Sequence, residues 1–275
     1  MTGTLFGVSL GPGDPELMTR RAFALLQRPD AVWTWPIRSG KSESYALAIA
    51  SRAGLVPPAA SAGESQALLF PMTHDGEKLG RAWLRAAQTV LPLLQSGLDV
   101  LFLVEGDAST YATFGHLAQT VKAMAPEVAV ETVPGVPSFI ASCAELGQPL
   151  AEQDDTVAIV PAAYGVDLVE RLLDDFDTLV LMKVKPLLDE LIALFERRGL
   201  LDRVCFVEKA GALEERVVRD IATLRGEKVN YLSLLIVQNP LRQRGERIKG
   251  CKKKTPAATA PTLLAEADTE EMADD

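Results

Sequence analysis

Three short glycine-containing turns hold the residues best placed for chemistry: GPGDP (Gly11–Pro15), EGD (Glu105–Asp107) and VPGVP (Val133–Pro137). Each ends an apolar, strand-like run. In an open α/β sheet, ligands sit outside the carboxyl ends of strands, and glycine there lets a ligand approach the backbone closely. The second turn also gathers titratable side chains, with Glu105 and Asp107 in it and Tyr111 and His116 shortly after. Asp107 suits a helix N-cap and equally a carboxylate facing a cationic ligand group. The first turn is no dinucleotide fingerprint, because Glu16 stands where GxGxxG needs its third glycine. A nicotinamide oxidoreductase is thereby disfavoured. With His74 and His116 the only histidines, and Cys143, Cys205 and Cys251 far apart without a CxxC, the chain offers no zinc knuckle, disulfide framework or His-rich metal site. No protein-bound metal is expected.

Alternating apolar patterns must position these turns. Strand-like runs are LFGVSLG (Leu5–Gly11), DAVWTWP (Asp30–Pro36), DVLFLVEGD (Asp99–Asp107) and VAVETVPG (Val128–Gly135). Between them, helical spacing predicts helices over Pro15–Gln27, Leu79–Gly97 and Tyr111–Met124, with Asp14 capping the first and Pro92 kinking or breaking the second. A second set follows: helix Ser138–Leu146, strand Thr156–Ala162, helix Val166–Asp175, strand Thr178–Val184, helix Leu187–Arg198, then strand-like runs at Arg203–Gly211, Glu215–Ile221 and Tyr231–Val237. The expected fold is α/β with two α/β domains, a mainly parallel sheet in the first and a mixed sheet in the second. The boundaries are 1–134 and 135–240, followed by a charged, disordered tail over 241–275.

Composition narrows the function. Of 275 residues, 28 are Lys or Arg against 37 Asp or Glu, a net charge of −9, which argues against a nucleic-acid binder. The tail sums to zero, a basic block (Arg242–Lys254) followed by an acidic one, so residues 1–240 bear the whole negative balance. No apolar run reaches the ~18 residues of a membrane helix, and MTGTLFGVSLGPGD lacks the regions of a signal peptide. The expectation is a cytoplasmic protein with no membrane or nucleic-acid partner.

Taken in order, GPGDPELMT, EGDASTYATFGHL, VPGVPSFIASCAELGQPL, VLMKV, FVEKAGALEERVV and YLSLLIV resemble the tetrapyrrole methylase family. The likeness spans about residues 3–240. Within the family, Glu105–Asp107 with Tyr111, Thr113, Phe114 and Leu117 are most similar to the precorrin-2 and cobalt-precorrin-2 C(20)-methyltransferases, although Ala108 stands where most members have proline. The resemblance implies S-adenosyl-L-methionine as methyl donor, in a cleft between two α/β domains. It also implies a homodimer, and methyl transfer to C(20) of precorrin-2 or cobalt-precorrin-2 in cobalamin biosynthesis. Carried over by position, cofactor contacts would be Pro12, Gly106, Asp107, Ala108, Ser138, Phe139, Met182, Ala210 and Ser233. Tyr111 and Asp107 would serve catalysis, and Arg20, Arg38 and Lys41 would meet the substrate's carboxylates. Methylation at another corrin position, a diphthine synthase, an rRNA methylase and a non-catalytic nucleotide-binding module stay open, as does the metal content of the substrate.

Overall fold

A computed structural model describes residues 1–61 and 64–243. The opposed charge blocks of the tail, apart from Arg242 and Gln243, lie outside the described residues. Ten strands form two five-stranded sheets.

The first sheet has the order β3-β2-β4-β1-β5, all parallel. Its strands are β1 (Thr4–Ser9), β2 (Val32–Ile37), β3 (Gln66–Leu69), β4 (Val100–Val104) and β5 (Ala129–Val133). Both faces are covered, as a parallel sheet requires. On one face α3 (Gly76–Gln95) and α4 (Phe114–Met124) pack Val90, Leu94, Phe114 and Leu117 against Phe102 and Val104. On the other, α1 (Arg20–Leu26) and α2 (Tyr45–Arg52) pack Leu26 and Ile49 against Val8, Trp33 and Leu103. The period-2 alternation of strand side chains thus feeds two cores at once.

The second sheet, β6-β7-β10-β8-β9, is parallel at β6/β7 and antiparallel elsewhere. Its strands are β6 (Val157–Pro161), β7 (Thr178–Met182), β8 (Val204–Glu208), β9 (Arg216–Val218) and β10 (Ser233–Gln238). Helix α5 (Ser138–Leu146) lays Phe139, Cys143 and Leu146 on one face, against Val180, Val207 and Ile236. Helices α6 (Val166–Asp175) and α7 (Leu188–Arg197) cover the other, around Phe195, Phe206 and Leu235. Both sheets fall within one compact unit, Met1–Arg242. Arg242, counted with the basic block on charge alone, is tied to the second half through Thr156 (2.7 Å) and an ion pair with Asp177.

Several local expectations need correction. Helix α3 runs through Pro92 to Gln95 without ending there. The proline falls in the last turn, and the carbonyl it deprives of its i+4 N–H donor belongs to Gln88 on the exposed face. Asp14 caps only a short 3-10 turn, Pro15–Leu17; Thr19 caps α1 instead, its hydroxyl accepting from the Ala22 N–H. Helix α4 begins at Phe114 rather than Tyr111, because Tyr111 has φ 51°. Helix α2 and strand β3 are additional to the sequence reading. Among the described residues no helix is long and apolar enough to cross a membrane.

Candidate active site: a cleft at the strand ends

The chain leaves β1 toward β2 on one side of the first sheet and leaves β4 toward β5 on the other. The adjacent carboxyl ends of β1 and β4 therefore form a topological switch point, where open α/β sheets bind ligands. The turns read from the sequence meet here. Gly11 and Gly106 exchange backbone hydrogen bonds, 3.2 Å from Gly11 N to Gly106 O and 2.7 Å in return. Ser9, fully buried at the end of β1, ties all three strand ends together: its hydroxyl donates to the Val133 carbonyl (2.6 Å) and accepts from the Ala108 N–H (2.8 Å).

Asp107 completes the floor. Its carboxylate accepts from the backbone N–H of Ser109 (2.9 Å) and of Gly135 (2.8 Å), from the Thr110 hydroxyl (3.2 Å) and from the Ser109 hydroxyl. Burial pushes its carboxyl up, but these donors outweigh burial and hold it below the usual aspartate range. Gly135 is required by this closure: a Cβ there would lie 2.4 Å from the Ser9 Cβ and 2.7 Å from the Gly106 carbonyl oxygen. The second half joins through Gly13, where a Cβ would meet the Ala210 carbonyl oxygen at 2.5 Å and the Ala212 nitrogen at 2.7 Å. The GPGDP turn and the loop after β8 are thus in backbone contact.

Above this floor is a cavity of about 700 Å³, the size of a site for one or two organic ligands. Of the residues nominated from the sequence, Pro12, Gly106, Asp107, Tyr111, Ser138, Phe139, Met182, Ala210, Ser233 and Arg38 line it. Ala108 does not; it is buried behind the turn, where its N–H is taken by Ser9. Arg20 and Lys41 are also absent from the lining, and both are exposed. The Ser42 hydroxyl accepts from the N–H of Arg38 and of Ser39, and within this curled segment Arg38 borders the cleft while Lys41 does not. His116 lies off the site, stacked on Trp83 at 4.1 Å.

The structure adds residues the sequence reading passed over. Tyr45, Arg52, Tyr231, Lys183 and Lys209 line the cleft. Arg38 lies over the Tyr231 ring at 4.9 Å, and Lys183 over Tyr111 at 5.7 Å. The Tyr111 hydroxyl donates to the Ile159 carbonyl (2.9 Å), linking the EGD turn to β6. Tyr111, Lys183 and Lys209 all have positive φ, at 51°, 58° and 50°, a backbone cost that concentrates at working sites. That strain is a signal the sequence pattern does not carry. Among the described residues the Tyr45 hydroxyl, which is buried, has no hydrogen-bond partner. Glu105, half-buried, makes no hydrogen bond or ion pair among the described residues. Burial pushes its carboxyl up, with the Arg38 guanidinium opposing. Burial likewise raises Tyr231 and Tyr45.

A floor made of backbone, at a switch point, under walls carrying ionisable side chains, is the arrangement in which α/β enzymes hold small molecules at their strand ends. The chain belongs to the Tetrapyrrole (Corrin/Porphyrin) Methylases, whose family model it matches over residues 4–224, and is accordingly a methyltransferase. It is 32% identical over 239 residues to a probable cobalt-precorrin-2 C(20)-methyltransferase of Methanocaldococcus jannaschii, covering 85% of this chain and 95% of that protein. The cobalt-precorrin-2 C(20)-methyltransferase of Salmonella typhimurium is 30% identical, with 86% and 97% covered. Among solved structures, uroporphyrin-III C-methyltransferase from Thermus thermophilus complexed with S-adenyl homocysteine shares the fold, at a TM-score of 0.57 and 24% identity over 86% of this chain and 97% of that one.

Proposed function

We propose that this protein transfers the methyl group of S-adenosyl-L-methionine to C(20) of precorrin-2 or its cobalt complex, in cobalamin biosynthesis. The observation that carries the proposal is the near end-to-end similarity to two proteins named for that reaction. The cleft supports it. A Cβ added at Gly106 would meet nothing within 4 Å, so the turn presents bare backbone to the cavity. Beside it, Phe139, Met182 and Ala210 offer an apolar wall and Ser233 a hydroxyl. This mixture suits a nucleoside with an amino-acid arm.

The bound donor supplies an activated methyl group, so the protein's work is to align and to exclude water. Positioning of that kind is worth roughly 7–11 kcal/mol. Pro12, Gly106, Ser138, Phe139, Met182, Ala210 and Ser233 would hold the donor. Asp107, its carboxylate committed to the loops, acts as a positioning residue, and Tyr111 orients the substrate from its clasp on β6. Arg38, with Arg52, Lys183 and Lys209, gives an otherwise acidic protein local cations for a polycarboxylate substrate. The net charge of −9 argues against RNA as acceptor. A cytoplasmic homodimer completes the reading, with light scattering as the test of its mass.

The decisive experiment incubates the purified protein with labelled donor and precorrin-2, with and without cobalt, and locates the label by NMR. Label at C(20) is the expected result. Label at another carbon, or none with tight S-adenosyl-homocysteine binding, would overturn the choice of acceptor.

A further inference from the structure

After methyl transfer to a meso carbon, a proton has to leave that carbon, and resting on the reading above, we infer that the Glu105 carboxylate is the group that takes it. Four titratable residues stand in or just beyond the EGD turn, and three are committed elsewhere. Asp107 accepts hydrogen bonds from Ser109, Thr110 and Gly135. The Tyr111 hydroxyl donates to Ile159. His116 stacks on Trp83 and does not line the cleft. Glu105 lines the cavity, and among the described residues its oxygens have no hydrogen bond or ion pair. An unpaired carboxylate in a half-buried wall is costly to keep, and it stays available for a substrate proton.

The other carboxylates lining the cleft are less suited. Glu214 is 69% exposed and faces Lys209 at 3.9 Å, and Glu43 is exposed. Arg38, at the end of β2, is the charged group that acts on Glu105, and the Glu105 charge in turn reaches Tyr45 on α2 and Tyr231 just ahead of β10. Arg38 favours the ionised carboxylate, while burial makes it a stronger base than a solvated glutamate. It stands directly before Gly106, whose bare backbone faces the same cavity.

The step balances. A π electron pair of the macrocycle at C(20) forms the new bond to the methyl carbon, and the methyl–sulfur bond breaks with its pair going to sulfur. The C(20)–H bond then breaks, its pair restores the conjugated system, and the proton passes to a Glu105 oxygen. No further co-reactant is needed.

The test uses the full chain and Glu105→Gln, with Glu105→Asp as the conservative variant and C(20)-deuterated precorrin-2 as probe. Glu105→Gln is expected to bind S-adenosyl-homocysteine as the wild type does, to lower kcat roughly 10²-fold or more, and to show a larger primary isotope effect. It should also lose the acid limb of the wild-type pH–rate profile, and Glu105→Asp should recover part of the rate. Wild-type kcat, isotope effect and acid limb in Glu105→Gln would overturn the assignment, as would loss of S-adenosyl-homocysteine binding, which would make Glu105 a donor-site residue. A wild type that places no label at C(20) would instead fail the proposed reaction itself, whatever the variants do.

Discussion

The floor of the cleft and its wall, a few residues apart in sequence, handle polar groups in opposite ways. On the floor, the Ser9 hydroxyl and the Asp107 carboxylate are spent on backbone and neighbouring hydroxyls, and three strand ends are locked together. On the wall, among the described residues, the Tyr45 hydroxyl is buried with no partner, and the Glu105 carboxylate lines the cavity with no hydrogen bond or ion pair. Buried polar groups are normally satisfied, so the contrast separates two duties. The floor gives geometry at no cost in unpaired groups; the wall keeps capacity in reserve for what enters. A methyl transfer that depends on alignment needs both.

The comparison breaks first at Gly135. Gly135→Ala would drive a Cβ to 2.4 Å from Ser9 and 2.7 Å from the Gly106 carbonyl, neither of which is the far end of a flexible side chain. The expected cost is about 3 kcal/mol of stability, with S-adenosyl-homocysteine binding falling in parallel. Urea denaturation and calorimetry measure the two together. A variant of wild-type stability that binds the donor normally would mean the floor is not the rigid part.

A smaller effect is expected on the wall. Arg38→Ala leaves the floor untouched, so stability and donor binding should hold while KM for the tetrapyrrole rises about tenfold, as for the loss of one charge-assisted contact. Arg38 lowers the Glu105 pKa. Removing it should therefore shift the acid limb of the pH–rate profile to higher pH, and steady-state kinetics across pH would show both changes. An unmoved KM would take Arg38 out of the substrate site.

The floor was far more legible in the sequence than the wall. Apolar runs ending in GPGDP, EGD and VPGVP mark strand ends because strand period and turn glycines are local properties. Both sheets, the first all-parallel and the second mixed, follow from the same alternation. Ser9 and its three-way bond were not legible, since they join positions 99 and 124 residues apart. On the wall, Arg38 and Lys41 look alike as sequence, and only the curl around Ser42 distinguishes them. Tyr45 was hidden because α2, eight residues long, buries Ala46, Ile49 and Ala50, of which Ile49 alone is large, too little to mark an apolar stripe. Strand β3 has four residues with one buried, too few for alternation to register.

The smallest predicted effect bears most directly on what the wall is for. If Glu105 is held unpaired for chemistry, its charge is a burden on the folded protein without substrate. Its native pKa is raised, so the folded state binds its proton more tightly than the unfolded chain does. By linkage, this residue makes the protein less stable as pH rises from the unfolded glutamate value through the native one, and the full penalty is present above that window. Glu105→Gln keeps shape and removes the charge, so at neutral pH it should be more stable than wild type, by about 0.5–1 kcal/mol. The difference should vanish as the pH falls below the ordinary glutamate range. Urea melts of both proteins across that range make the measurement. A destabilised Glu105→Gln would mean the carboxylate has a structural partner and belongs with the floor. A gain in stability coupled to a loss of turnover would be the signature of a group retained for function at the expense of the fold.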